Sequence, residues 1–203
     1  MDTQNTDIEL STEEKIKAAA RKVFTQKGYD ATRTRDIAAE AGINLALLNY
    51  YFRSKERLFE IIMTEQFQQF FGAISPALHD EATSLEDKMQ IISSRYIDLL
   101  LANPDLPLFI VTEVRRRPQH YLPAIGDVRS VFESAFVRQL RERKPQANPL
   151  HFLMNLMGMC VFPFVMRPVL QTMQVVESHV FENLMQERKQ LIPVWIKTLL
   201  ETS

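Results

Sequence analysis

The side chains best suited to chemistry in this chain lie between Thr34 and Lys55, and they are hydrogen-bond donors rather than paired acids or nucleophiles. Hydroxyl and cationic groups such as those of Thr34, Arg35, Tyr51 and Lys55 are typical donors to phosphate oxygens. Between them lies a segment of amide, small and aromatic side chains: Asn44, Leu45, Ala46, Leu47, Asn49 and Tyr50. Asparagine pairs with adenine, and small apolar groups contact the thymine methyl. The pattern indicates non-covalent recognition of DNA.

Two short helices joined by a glycine corner have to position these side chains. The sequence predicts helices over 34–41 and 45–51, which together would form a helix-turn-helix. Ala38 is small enough to let the helices cross closely, and Gly42 can adopt the positive φ that such a corner often needs. Leu48 would point inward, so the polar residues around it are left on the outer face. A corner of this kind also occurs in helical proteins that never bind DNA.

The local charge favours the DNA interpretation. From Lys15 to Arg57 the chain has ten basic and four acidic residues, a surplus of six positive charges, although the whole chain has a net charge of −1. A basic segment on a nearly neutral protein is typical of contact with a polyanion. The alternative is a solvated, charged helix face.

Three segments of this region carry a resemblance to a known family: KVFTQKGYDAT, TRDIAAEAGI and LLNYYFRSKERLF. From about Ile16 to Phe59 the chain resembles the TetR family of bacterial transcriptional regulators. Beyond about residue 75 it resembles only a general helical ligand-binding and dimerising domain.

The resemblance implies roles for individual residues. Thr34, Tyr50 and Lys55 would contact phosphates, and Arg35 and the outer face of the third helix would contact bases. Two positions depart from the family pattern, because Tyr51 stands where histidine is frequent and Asn49 where tyrosine is frequent.

The predicted fold is all-α, with an N-terminal three-helix helix-turn-helix DNA-binding domain followed by a larger helical ligand-binding and dimerisation domain. We expect a flexible tail over residues 1–10, the DNA-binding domain over 11–57 and the second domain over 58–203. Predicted local signals are caps at Ser11 or Thr12, Thr34, Asn44 and Ser54, a helix stop at Gly28 and a kink at Pro193. Beyond residue 54 we predict helices over 54–74, 84–102, 105–116, 123–143, 148–166 and 175–201. The predicted breaks lie near Asn103-Pro104, Pro118, Lys144-Pro145 and Arg167-Pro168.

The last two predicted helices carry more apolar residues than one buried face needs, which suggests a partner. In the TetR-like interpretation they pair with their copies in a homodimer, and a dimer would present two reading helices to a near-palindromic operator. The predicted interface comprises Leu153, Met154, Met157, Gly158, Val161, Val180, Leu184, Leu191 and Trp195. The alternative is that all of these residues belong to the core of a monomer.

Phenylalanines recur through the second domain and could line an apolar effector pocket, although most of them also fit an ordinary core. They are Phe67, Phe70, Phe71, Phe109, Phe132, Phe136, Phe152 and Phe162. Arg115, Arg116 and Arg117 could add charge for an anionic ligand. We identify no catalytic constellation, no metal-ligand spacing and no cofactor motif.

The sequence therefore predicts a cytoplasmic, homodimeric DNA-binding transcriptional regulator that is not an enzyme and does not cross a membrane. By resemblance it would be a repressor that a small, mainly apolar ligand releases from operator DNA. The open alternatives are an activator or a ligand-independent regulator, a helical enzyme or small-molecule-binding protein, and a protein-interaction module. In the main interpretation, Tyr50→Ala or Lys55→Ala should weaken DNA binding and leave stability nearly unchanged.

Overall fold

This computed structural model describes residues 11–121, 128–175 and 177–202, and every regular element within those ranges is a helix. The tail that we predicted over 1–10 lies outside the described residues. The chain divides into two compact units between Glu65 and Gln66. The predicted domain boundary at residue 57 is earlier than this division, near the start of the helix that contains both positions.

Four helices contribute to the first unit: α1 (Thr12–Ala31), α2 (Thr34–Glu40), α3 (Leu45–Phe52) and α4 (Lys55–Gly72), the last of which continues into the second unit. Their buried residues form one apolar core that contains Ile16, Ala20, Phe24, Ile37, Leu48, Phe52 and Leu58. The Phe24 and Phe59 rings meet edge to face, with their centroids 4.8 Å apart. This core fixes the two short helices against α1.

Side-chain caps set most of the helix starts in this unit. The Ser11 hydroxyl accepts from the Glu14 N–H, the Asn44 carbonyl oxygen from the Leu47 N–H, and the Ser54 hydroxyl from the Arg57 N–H. The predicted cap at Thr34 is wrong. That residue is already helical, and the Asp36 carboxylate accepts from the N–H of the preceding Arg33 at 3.2 Å.

Glycine permits the two sharp changes of direction. Gly42 has a φ of 67° and connects α2 to α3, where a residue with a Cβ would be strained. Gly28, with a φ of 72°, interrupts α1 as predicted, but the helix resumes and ends at Ala31.

The second unit contains the remaining helices: α5 (Ser75–His79), α6 (Leu85–Ala102), α7 (Leu106–Arg116), α8 (Pro118–Tyr121), α9 (Val128–Phe132), α10 (Ala135–Arg143), α11 (Pro149–Thr172) and α12 (Ser178–Thr202). Helix α6 lies at the centre of this unit and packs against α5, α10, α11 and α12. Its buried residues include Met89, Ile92, Tyr96 and Leu100.

Two of the predicted helices in this unit differ clearly from the structure. The predicted helix 123–143 is not continuous: α9 and α10 are separate, because Ser134 caps α10 through the Val137 N–H, and residues 122–127 lie outside the described ranges. The predicted break at Arg167-Pro168 is wrong, because α11 continues through Pro163 and Pro168. Helix α12 also continues through its interior proline, Pro193.

Candidate nucleic-acid interface and the α11–α12 surface

Helix α3 exposes one face and buries the other. Asn44, Leu45, Ala46, Asn49 and Tyr50 are exposed, and Leu47 is half-buried. Leu48 and Phe52 are buried on the opposite side. The predicted reading residues therefore share one solvent-facing surface, which we call the α3 outer face.

Tyr50 is the most prominent side chain of the α3 outer face, since 80% of it is exposed. Its ring stands edge-on to that of Tyr51 at 5.5 Å. Asn44 and Asn49 differ in availability. The Asn44 carbonyl oxygen already accepts from the Leu47 N–H at 2.8 Å, which directs its NH₂ group outward as a donor for a base or a phosphate. No such cap bond is formed by Asn49 among the described hydrogen bonds.

Several cations of the basic segment are engaged in ion pairs within the unit. Lys17 and Arg21 both contact Glu65 at 2.9 Å, and Lys27 lies 3.2 Å from Asp36. The pKa of Asp36 is lowered, because its carboxylate accepts from the Arg33 backbone N–H and from Lys27. The surplus of positive charge predicted from the sequence therefore contributes partly to holding α1 against α2 and α4.

Arginines at the ends of the two short helices remain exposed. Arg33 and Arg35 lie at the start of α2, and Arg53 follows the last residue of α3 with a φ of 60°. Thr34, beside them, is half-buried. Arg33 and Arg53 are not among the predicted DNA-binding residues, although a basic residue at each boundary of the helix pair is a signal visible in the sequence.

Lys55 has a structural environment that the sequence did not reveal. Its ammonium donates to the carbonyl oxygens of Tyr29 and Thr32, both at 2.9 Å, and lies 4.1 Å from the centre of the Tyr29 ring. The Thr32 hydroxyl in turn donates to the Gly28 carbonyl at 2.7 Å. Lys55 thus fastens the start of α4 to the last turn of α1 and to Thr32, the residue that follows α1. One ammonium N–H remains for a phosphate.

In the second unit, the predicted pocket phenylalanines separate into two groups. Phe67, Phe70, Phe109, Phe136 and Phe152 are buried, and Phe71 is half-buried. Phe132 and Phe162 are instead 36% and 61% exposed, so these two lie outside the interior cluster.

The second unit also buries several polar groups. The Tyr96 hydroxyl donates to the Phe70 carbonyl at 2.7 Å, and burial raises the pKa of Tyr96. Cys160 is buried, and burial raises the pKa of its thiol to about 12. Glu113 on α7 is also buried, and its carboxylate lies 3.8 Å from Arg116.

Helices α11 and α12 each have a buried and an exposed apolar stripe. On α11 the buried stripe is Phe152, Leu156, Cys160 and Phe164, at intervals of four residues. The exposed large apolar side chains of the two helices and of the segment between them, which contributes Met173 and Val175, are Leu150, Met154, Phe162, Val169, Met173, Val175, Val180, Leu184, Leu191, Val194 and Trp195. We call these eleven residues the α11–α12 outer stripes.

The predicted dimer residues fall mostly on these outer stripes. Met154, Val180, Leu184, Leu191 and Trp195 belong to them. Gly158 is exposed on α11, whereas the predicted residues Leu153, Met157 and Val161 are half-buried. Six further members, Leu150, Phe162, Val169, Met173, Val175 and Val194, are not among the predicted interface residues, because the sequence alone does not indicate the orientation of either helix.

Helix α11 is long and apolar enough to cross a membrane by length and composition, with a mean hydropathy of 1.6 in its most apolar window. It packs against α6, α7 and α12. Within the described ranges, no group of three or more His, Cys, Asp or Glu residues is arranged to hold a metal ion.

Comparison with known proteins identifies relatives of this fold. Residues 16–62 match the family model for bacterial regulatory proteins of the tetR family. The chain is 24% identical to the probable HTH-type transcriptional regulator YttP of Bacillus subtilis, over 96% of this chain and 97% of that protein. It is 31% identical to the HTH-type transcriptional repressor KstR2 of Mycolicibacterium smegmatis, over 49% of this chain and 55% of that protein.

A solved structure has the same fold at low sequence identity. The transcriptional regulator FadR from Bacillus subtilis, crystallised in complex with stearoyl-CoA, superposes with a TM-score of 0.62. The match covers 89% of this chain and 97% of that chain at 17% identity.

Proposed function

Because this chain is a DNA-binding transcriptional regulator of the TetR family, we propose that it acts as a homodimeric repressor that a small, mainly apolar ligand releases from a near-palindromic operator. The observation that supports DNA binding is the α3 outer face, whose exposed residues lie on the side of the helix opposite the buried Leu48 and Phe52. A rigid helix of this kind can enter the major groove without disturbing its own core. We also propose a cytoplasmic location, where a bacterial regulator meets its DNA.

The proposed contacts divide into two classes. Arg35, Leu45, Ala46, Leu47 and Asn49 would contact base edges, and the free NH₂ group of Asn44 could join them. Thr34, Tyr50, Tyr51 and Lys55 would donate to phosphates on either side. The exposed Arg33 and Arg53 extend the phosphate-binding surface beyond the residues predicted from the sequence.

Tyr50 offers the cleanest test of DNA binding, because 80% of its side chain is exposed and little packing is lost on truncation. Tyr50→Ala should weaken binding to a fragment selected from random DNA by the unaltered protein at least about tenfold, or about 1.4 kcal/mol. Its unfolding free energy should stay within about 0.5 kcal/mol of the original. Tyr50→Phe keeps the ring and isolates the contribution of the hydroxyl. Equal DNA affinity for Tyr50→Ala and the unaltered chain would count against the proposed interface.

The homodimer is supported by the α11–α12 outer stripes. Single exposed apolar residues are ordinary on a protein surface, but nine on two adjoining helices, with two more between them, are characteristic of an interaction site. A two-fold dimer would duplicate both the stripes and the reading helices, so each subunit would contact one half of the operator. Two subunits about 34 Å apart along the DNA would read successive major grooves.

The proposed ligand control is a shift between two conformations. A ligand that binds better to the conformation with the wrong spacing of reading helices lowers DNA affinity by its differential affinity for the two states. The buried phenylalanines of the second unit favour an apolar ligand, and the exposed Arg115, Arg116 and Arg117 at the end of α7 could meet an anionic group. FadR, with the same fold, was crystallised with stearoyl-CoA.

Stearoyl-CoA is therefore the first probe for an effector. At micromolar concentration it should raise the midpoint of thermal unfolding, because a ligand that binds only the folded state stabilises it. It should also weaken operator binding several-fold in a mobility-shift titration. Coenzyme A without the acyl chain is the matched control and should do neither. If stearoyl-CoA leaves both the unfolding midpoint and operator affinity unchanged, this effector class is excluded.

A further inference from the structure

Helices α11 and α12 contain prolines in their interior and continue through them. These prolines are Pro163 and Pro168 in α11 and Pro193 in α12. Proline has no backbone N–H, so the carbonyl four residues earlier loses its usual helical partner. For Pro163 and Pro193, the carbonyls concerned are those of Met159 and Lys189.

Each of these two carbonyls accepts a side-chain hydrogen bond from a different helix. Arg188 of α12 donates through Nη2 to the Met159 oxygen at 2.8 Å. Gln90 of α6 donates through Nε2 to the Lys189 oxygen at 3.1 Å. In a regular helix such carbonyls are already occupied, so the prolines create the acceptor sites that these donors use.

The two bonds form a chain from the centre of the unit to the outer stripes. Helix α6 contacts Lys189 at two points: Gln90 donates a hydrogen bond to its carbonyl, and Asp98 forms an ion pair with its ammonium. The adjacent residue, Arg188, bonds α11 and also lies 5.1 Å from the centre of the Trp195 ring. Trp195 belongs to the outer stripes.

We propose that Gln90 and Arg188 are positioning residues that fix the course of α12 and α11 at Pro193 and Pro163 and so set the shape of the outer stripes for pairing with a second copy. A proline leaves a helix free to bend by different amounts, whereas a donor fixed on a neighbouring helix selects one bend. The pairing step rests on the homodimer proposed above. The interhelical bonds do not depend on it.

A double-mutant cycle tests Gln90. In Pro193→Ala, residue 193 regains an N–H that can bond the Lys189 carbonyl. The hydrogen bond from Gln90 to that carbonyl should then contribute little to stability or dimer association. We expect Gln90→Leu to weaken dimer association about tenfold in the unaltered chain and less than twofold in the Pro193→Ala background. The midpoint of thermal unfolding should follow the same pattern, with several degrees lost in the first case and about one in the second.

Ser94→Ala is the matched control, because Gln90 Nε2 also donates to the Ser94 hydroxyl at 3.1 Å. This substitution removes the other acceptor of the same amide and should leave dimer association unchanged. The parallel cycle combines Arg188→Met with Pro163→Ala. Fluorescence emission of Trp195, the single tryptophan of the chain, should report changes in the outer stripes directly.

Equal effects of Gln90→Leu in the unaltered chain and in the Pro193→Ala background would overturn the inference. If unfolding shows the coupling but dimer association does not, the bonds are only structural and the positioning role is wrong. If the unaltered chain is monomeric at every concentration, the proposed dimer and its positioning fail together. In that case, a double-mutant cycle on unfolding that shows no coupling would also rule out any stabilising role for the two interhelical hydrogen bonds.

Discussion

Val194→Asp should convert the dimer into monomers, with dimer association weakened at least about 100-fold, or about 2.7 kcal/mol. Val194 is 59% exposed in the single subunit, so the aspartate would remain hydrated there and folding should be preserved. In a two-fold interface the substitution occurs twice, and each carboxylate would lose water without gaining a partner. Sedimentation equilibrium over nanomolar to micromolar concentrations measures the effect.

The matched control for this variant is Val111→Asp. Val111 is 51% exposed on α7, outside the α11–α12 outer stripes, so the same change of charge should leave association within about twofold. The monomeric Val194→Asp variant should also bind a fragment with both half-sites no more tightly than a fragment with one. An unchanged dimer, or an equal effect at Val111, would refute the assignment of the interface.

Lys55→Met should lower the free energy of unfolding by about 2 to 3 kcal/mol, since two carbonyls lose a charged donor in a partly buried site. This reverses the expectation from the sequence that removal of Lys55 would leave stability nearly unchanged. The physical reason is that the ammonium bonds the Tyr29 and Thr32 carbonyls at 2.9 Å. Methionine keeps most of the aliphatic side chain, so packing changes little. Chemical denaturation measures the loss.

DNA binding by Lys55→Met separates positioning from direct contact. A cation that neutralises a phosphate contributes about 0.9 to the slope of log affinity against log salt. We expect Lys55→Met to lower this slope by about 0.9 per subunit, because one N–H of the ammonium remains for a phosphate. An unchanged slope would leave Lys55 a positioning residue only. Arg35→Met, which alters an exposed cation, provides the comparison. Unchanged stability together with a slope reduced by about 0.9 per subunit would make Lys55 a phosphate ligand only.

Local sequence signals predicted the caps and the corner of the helix-turn-helix well, because their geometry depends on neighbours in the chain. Asn44 and Ser54 cap helices as predicted, since a cap needs only an acceptor and a free N–H within three residues. Gly42 has the positive φ that its place in the corner requires. Leu48 is buried, and this fixes the α3 outer face.

Predictions failed where a distant group compensated a local signal. A proline normally favours the end of a helix, so the sequence predicted a break at Arg167-Pro168. Helix α11 continues through Pro168 while it packs against α6, α7 and α12. At Pro163 and Pro193, the side-chain donors Arg188 and Gln90 bond the carbonyls that the prolines leave open. Each donor lies on a different helix from the carbonyl that it bonds, so local periodicity in the sequence does not reveal the pairing.

By itself, the sequence determined the helical class, the helix-turn-helix and the residues that share its outer face, because helical periodicity and caps are local properties. Only the tertiary structure decided that Lys55 fastens two elements, that Phe162 lies outside the interior cluster, and which apolar residues of α11 and α12 face solvent. Those outcomes depend on contacts between residues far apart in the chain, and an apolar helix looks the same in sequence whichever side it buries.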